Sequence, residues 1–67
     1  MNKELRNFRL SQNKSMEDIS SEMGISKSFY EKVEYGQRTP SYGFIKRFKR
    51  QYPHCDTDKI FFSNNYT

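Results

Sequence analysis

Five side chains in one short run have the types and spacing to recognise another molecule: Lys27, Ser28, Glu31, Lys32 and Tyr35. Plotted at 100° per residue, residues 26–36 (SKSFYEKVEYG) divide into two faces. Phe29, Tyr30 and Val33 share an arc of about 100°, the width that a packed helix buries. Lys27, Glu31, Tyr35, Ser28 and Lys32 fill the opposite side, in that angular order. The lysines supply donors, Glu31 an acceptor, and the Ser28 and Tyr35 hydroxyls supply both. A lysine can donate to guanine O6 or N7 or to a phosphate, and a glutamate can accept from cytosine N4, so this face suits base edges in a major groove. The same residue types also make an ordinary solvated face. The elements that hold the run decide between the two.

Ser26 suits the N-cap of this helix, because its hydroxyl can accept an orphan backbone N–H. Gly36 suits the left-handed residue that ends it. The helix expected over 27–35 follows closely on another at 16–23. There Ser15 and Asp18 have the capping-box spacing, and Glu17 and Asp18 set negative charge at the positive end of the helix dipole. Met16, Ile19 and Met23 form its inward stripe, Gly24 ends it, and Ile25 plugs the turn. Two short helices joined by a tight turn containing glycine make a helix-turn-helix unit.

The flanking chain supplies three more helices. Asn2 caps one over 3–12, with Leu5 and Phe8 inward and Leu10 at the edge. Ser41 caps one over 42–52, after Pro40 has excluded helix at the residue before it. Its stripe is Ile45, Phe48 and Tyr52, with Phe44 beside them, while Lys46, Lys49 and Arg50 make a solvated charged face. Asp56 or Thr57 caps a last short helix over 58–62, where Ile60, Phe61 and Phe62 cluster. Residues 63–67 read as a frayed tail. The fold class is therefore all-α, a compact five-helix bundle in one domain of 67 residues.

Composition narrows the function. The net charge is +4, and residues 27–50 hold seven basic residues against two acids, a net of +5. A concentrated basic span suits a polyanion. Hydrophobic content is only 33%, but aromatics reach 16%, and a few large rings can fill a small core. The single cysteine, Cys55, rules out an internal disulfide and suits a reducing cytoplasm; it reads as a small buried hydrophobe. No apolar run is long enough to span a membrane, and no signal-peptide pattern opens the chain. The one histidine, His54, adjoins Cys55, which is too little for zinc and points to no catalytic pair. No enzyme, metal or cofactor is expected, and no small-molecule ligand either, because no second domain is there to hold one.

Residues 15–41, SMEDISSEMGISKSFYEKVEYGQRTPS, resemble the lambda-repressor-like family of bacterial and phage regulators, the Cro/repressor-type or XRE helix-turn-helix proteins. The family pattern runs roughly S-Q-E-E-L-A, L-G-V-S and I-x-x-I-E-N-G-x-R-x-P-S. The matching residues are Ser15, Glu17, Asp18, Ile19 and Ser20; Met23, Gly24, Ile25 and Ser26; Tyr30, Val33, Glu34, Tyr35 and Gly36; and Arg38, Pro40 and Ser41. Leu5, Arg6 and Arg9 match the first helix, and Ile60, Phe61 and Phe62 resemble the apolar close of the last. Three departures stand out. Met16 replaces the glutamine that touches a phosphate, so that contact is lost or passes to a backbone N–H. Tyr35 replaces the common asparagine, and the loop over 53–57 is longer than usual.

The resemblance implies a buried ion pair between Arg9 and Glu34, and the angular position of Glu34, beside Tyr30 on the inward flank, agrees with it. It also implies that helix three lies in the major groove and helix two crosses the backbone. Phosphate contacts are then expected from the helix-two N-terminus around Ser15 and Met16, and from Gln37, Arg38 and Thr39 after helix three. Phe29 either packs in the core or touches a thymine methyl. Tyr35 either bonds a phosphate or covers the helix end. The expected partner is double-stranded DNA, bound by a homodimer on a palindromic operator, with repression by occlusion. Ile60, Phe61 and Phe62 are the candidate dimer surface, unless they only close the core. The rival reading is an interaction module, an antitoxin-like or phage protein that binds another protein with the same fold.

Overall fold

Every helix begins on a side-chain oxygen that accepts a first-turn N–H. Asn2 accepts from Leu5, Ser15 from Asp18, Ser26 from Phe29, Ser41 from Phe44 and Asp56 from Lys59. Each such cap is worth about 1 kcal/mol against alanine, which matters in helices of five to ten residues. The computed structural model describes residues 1–62. Its elements are α1 (Lys3–Ser11), α2 (Met16–Met23), α3 (Lys27–Glu34), α4 (Tyr42–Gln51) and α5 (Thr57–Phe61). The order is the expected one. The C-terminal bounds of α1, α3 and α4 each fall one residue earlier than the sequence suggests, and α5 starts and ends one residue earlier, with Asp56 rather than Thr57 as its cap.

Gly24 closes α2 at φ +73°, and its N–H donates to the Ser20 and Ser21 carbonyls. Gly36 follows the α3 cap at φ +80°, where a Cβ would stand 3.0 Å from the Met1 nitrogen. Both positions favour glycine, because side chains rarely adopt that backbone. Between α1 and α2 the left-handed residue is Asn13, at φ 56°, one of the few side chains that tolerate it.

Packing joins α2 to α3 and α4, and α1 to α3 and α5. The core is Leu5, Ile19, Met23, Tyr30, Val33, Phe44, Phe48, Ile60 and Phe61. Aromatic edges hold it: Phe61 meets Phe48 and Phe44 at centroid separations of 5.2 and 6.0 Å, both near perpendicular. Asn2 ties three helices together, donating its backbone N–H to the Glu34 carbonyl at 2.8 Å and its side-chain N–H to the Ile60 carbonyl at 3.1 Å.

Two expectations are corrected by this packing. The stripe of α4 is Phe44 and Phe48, with Ile45 and Tyr52 only half-buried. Phe44 wins because its ring sits among Phe29, Tyr30 and Phe61. Ile60 and Phe61 close the core at 4% exposure each, so they are not available as a dimer surface; of that trio only Phe62 is exposed. The frayed tail expected over 63–67 lies outside the described residues.

Candidate nucleic-acid interface

The reading helix is gripped from behind. Tyr30, Val33 and Glu34 are buried on its inner side. The Glu34 carboxylate, fully buried, accepts from one edge of the Arg9 guanidinium, Nε at 2.9 Å and Nη2 at 3.2 Å. The Tyr30 hydroxyl donates to the same carboxylate at 2.8 Å. Burial and the adjoining carboxylate raise the Tyr30 phenol well above its ordinary pKa, and the Glu34 hydrogen bond raises the Arg9 guanidinium further. Arg9 and Tyr30 thus stay protonated, and no buried polar side-chain atom among the described residues is left unpaired. Arg9 also donates to the Lys14 carbonyl at 3.0 Å, directly before the α2 cap.

On the outer side, Lys27, Ser28, Lys32 and Tyr35 are exposed and Glu31 is half-buried. Beyond α3 the chain folds back on the helix end. The Gln37 and Arg38 N–H groups both donate to the Lys32 carbonyl, at 2.8 and 3.1 Å. This fixes the backbone of the 37–39 loop against the end of the reading face, with the side chains of Gln37, Arg38 and Thr39 exposed. The Arg38 guanidinium carbon lies 4.3 Å from the centroid of the Phe29 ring. Phe29 itself is half-buried against Phe44, so one ring serves the core and carries an arginine.

The start of α2 differs from the simple expectation. The capping box closes fully: the Ser15 hydroxyl accepts from Asp18, and the Ser15 N–H donates to the Asp18 carboxylate at 3.1 Å. Those bonds hold the Asp18 carboxyl below its ordinary pKa. The Ser15 N–H is therefore occupied, which leaves Met16 and Glu17 as the first-turn N–H donors outside the box. The Met16 side chain is half-buried against the core rather than turned outward.

Sequence reasoning did not find the Phe29–Arg38 contact, because an arginine nine positions after an aromatic is no local pattern. It also missed Lys14 and Glu22, which form an ion pair, and the Tyr52 hydroxyl, which donates to Glu22 at 2.6 Å across 30 positions. Tyr42, at 80% exposure, is a further ring beside the Ser41 cap, with Lys46 Nζ 5.8 Å from its centroid.

A family model described as Helix-turn-helix matches residues 5–60. The chain belongs to the helix-turn-helix family of the Cro/C1 type. Comparison with curated proteins and with solved structures finds no match. As a helix-turn-helix protein the chain is a DNA-binding transcriptional regulator in the general sense, of a family that is not enzymatic. Among the described residues no helix is long and apolar enough to cross a membrane, and no three His, Cys, Asp or Glu side chains gather as a metal-binding group.

Proposed function

We propose that this helix-turn-helix protein is a sequence-specific repressor that binds double-stranded DNA as a homodimer on a palindromic operator. The observation that carries the reading is the two-sided state of α3. Its inner side is pinned by a buried three-residue hydrogen-bond cluster, while Lys27, Ser28 and Lys32 stand free on the outer side. A rigid polar face discriminates between base edges because a wrong base leaves a fixed donor unpaired. Lys27, Ser28, Glu31 and Lys32 read bases. Tyr35, Gln37, Arg38 and Thr39, with the first-turn N–H groups at Met16 and Glu17 beside the Ser15 cap, hold phosphates and set the register.

One reading helix makes few contacts, so two copies on half-sites about one helical turn apart supply the rest. With Ile60 and Phe61 in the core, the exposed Phe62 is what remains of the proposed dimer surface. Selection from a random duplex pool at moderate salt tests the reading. A two-fold symmetric consensus is expected, with a two-protomer complex in sedimentation. Duplex binding without preference, or none, would favour the rival protein-binding module. The closed box at Ser15 and the methionine at position 16 are the features that favour that rival, because the box occupies one N–H on the phosphate side and Met16 offers no side-chain donor there.

A further inference from the structure

We infer that Phe29 is a positioning residue for DNA binding: its ring holds the Arg38 guanidinium flat, with the N–H edge presented to a phosphate. This rests on the DNA-binding reading above. The Arg38 backbone is anchored to the end of α3 through the Lys32 carbonyl. Its guanidinium carbon is 4.3 Å from the Phe29 centroid. Among the described residues no carboxylate lies within ion-pair distance of Arg38. Ring stacking uses the face of the guanidinium and leaves its in-plane donors free, which is the edge that grips a phosphate oxygen pair. Phe29 cannot swing away to release the arginine, because its other contacts are in the core: it meets Phe44 edge-on at 5.4 Å and 69°. The core therefore fixes the ring, and the ring fixes the arginine. An exposed arginine on a loop otherwise loses rotamer freedom when it binds; here that loss is taken on folding.

The test is a double-mutant cycle on duplex affinity, with Phe29→Leu, Arg38→Ala and both together, checked for folding by thermal melts. Phe29→Leu is expected to weaken binding roughly three- to ten-fold when Arg38 is present, and less than about two-fold in the Arg38→Ala background. Phe29→Tyr keeps a ring and restores affinity. If Phe29→Leu folds poorly, Arg38→Lys serves instead. It keeps the charge without the flat face and is expected to lose most of the same affinity. In the free protein, the Arg38 side-chain protons should show ring-current shifts that vanish in Phe29→Leu. Equal losses in both backgrounds, or Arg38 shifts that ignore the ring, overturn this inference while leaving DNA binding in place. Absence of any duplex binding by the unaltered protein overturns the function and this inference together.

Discussion

Glu34→Ala tests whether the reading helix is held by the cluster behind it. The substitution removes one carboxylate that accepts three hydrogen bonds, two from Arg9 and one from Tyr30. Arg9, whose side chain is 11% exposed, keeps only its bond to the Lys14 carbonyl. The Tyr30 hydroxyl stays buried without a partner. Breaking a buried ion pair from one side costs about 3–5 kcal/mol, and the stranded hydroxyl falls largely within that figure. A chain of 67 residues has a total stability of roughly 3–10 kcal/mol, so about a third or more of it is at stake. At about 4–8 °C per kcal/mol for a domain of this size, the melting temperature should fall by at least about 12 °C. The matched control is the triple variant Arg9→Met/Glu34→Leu/Tyr30→Phe. Replacing a whole buried polar set by apolar residues is often near neutral, so most of the loss should return. Far-ultraviolet circular dichroism melts at pH 7 measure both. Well below its midpoint, folded Glu34→Ala should bind duplex much as the unaltered protein does, because the exposed face is untouched. A melting point for Glu34→Ala within about 3 °C of the unaltered protein, or a triple variant no more stable than the single one, would refute the reasoning.

The remaining predictions separate base contacts from phosphate contacts, and acid from alkaline unfolding. Lys27→Ala or Lys32→Ala should cost about 1–3 kcal/mol of affinity and relax preference at one operator position, which competition with single-base variants measures. Arg38→Ala should weaken all sequences alike and lower the salt slope by about one; a changed consensus would show that Arg38 reads bases. Lys14, then Tyr52, hold the Glu22 carboxyl below its ordinary value of 4.5. Its contribution is therefore present above that pH and lost as pH falls through the depressed folded value. Glu22→Gln should flatten the melting curve against pH below 4.5. Burial, and then the Glu22 bond, raise the Tyr52 phenol above its ordinary value of 10.0. That stability is present below pH 10 and lost above it, so Tyr52→Phe should lessen the alkaline fall in melting temperature.

What the sequence makes legible is what is local in the chain. A serine three positions before the backbone N–H that its hydroxyl accepts from, or a glycine after a stripe, carries its meaning within one turn. The caps at Ser15, Ser26 and Ser41 and the left-handed Gly24 are of this kind. The five-helix order follows from them. Legibility fails where two local solutions compete for one core. On α4 the spacing of Ile45, Phe48 and Tyr52 makes a good stripe, yet Phe44 takes the inner position because Tyr30 stacks on it and Phe61 meets it edge-on. Nothing near Phe44 in the chain announces those rings. Ile60 and Phe61 show the same limit, since an apolar cluster at a chain end has the same pattern whether it faces a core or a partner. The Ser15 N–H shows a different limit. The capping-box spacing is visible in the chain, but that the closed box occupies the Ser15 N–H and leaves those of Met16 and Glu17 outside it appears only when both bonds are drawn.

Arg9 connects these levels. The Nε and Nη2 edge of its guanidinium binds Glu34 on α3, and the remaining nitrogen, Nη1, binds the carbonyl of Lys14, one residue before the α2 cap. The two parts of the proposed interface, the outer face of α3 and the first turn of α2, are thus tied to a single planar group. A lysine could neutralise Glu34 but could not hold both partners in one plane, because its ammonium is a point charge without the fork. Lys14 continues the connection through its own side chain to Glu22, and Glu22 accepts from Tyr52 at the end of α4. The path from Tyr30 to Tyr52 runs through Glu34, Arg9, Lys14 and Glu22, and each cation on it has one carboxylate neighbour. Among the described residues the buried apolar core is nine side chains, and apolar contact has no preferred direction. The polar chain adds direction to that burial: apolar contact holds the helices together, and Arg9 ties the inner side of α3 to the residue before the α2 cap.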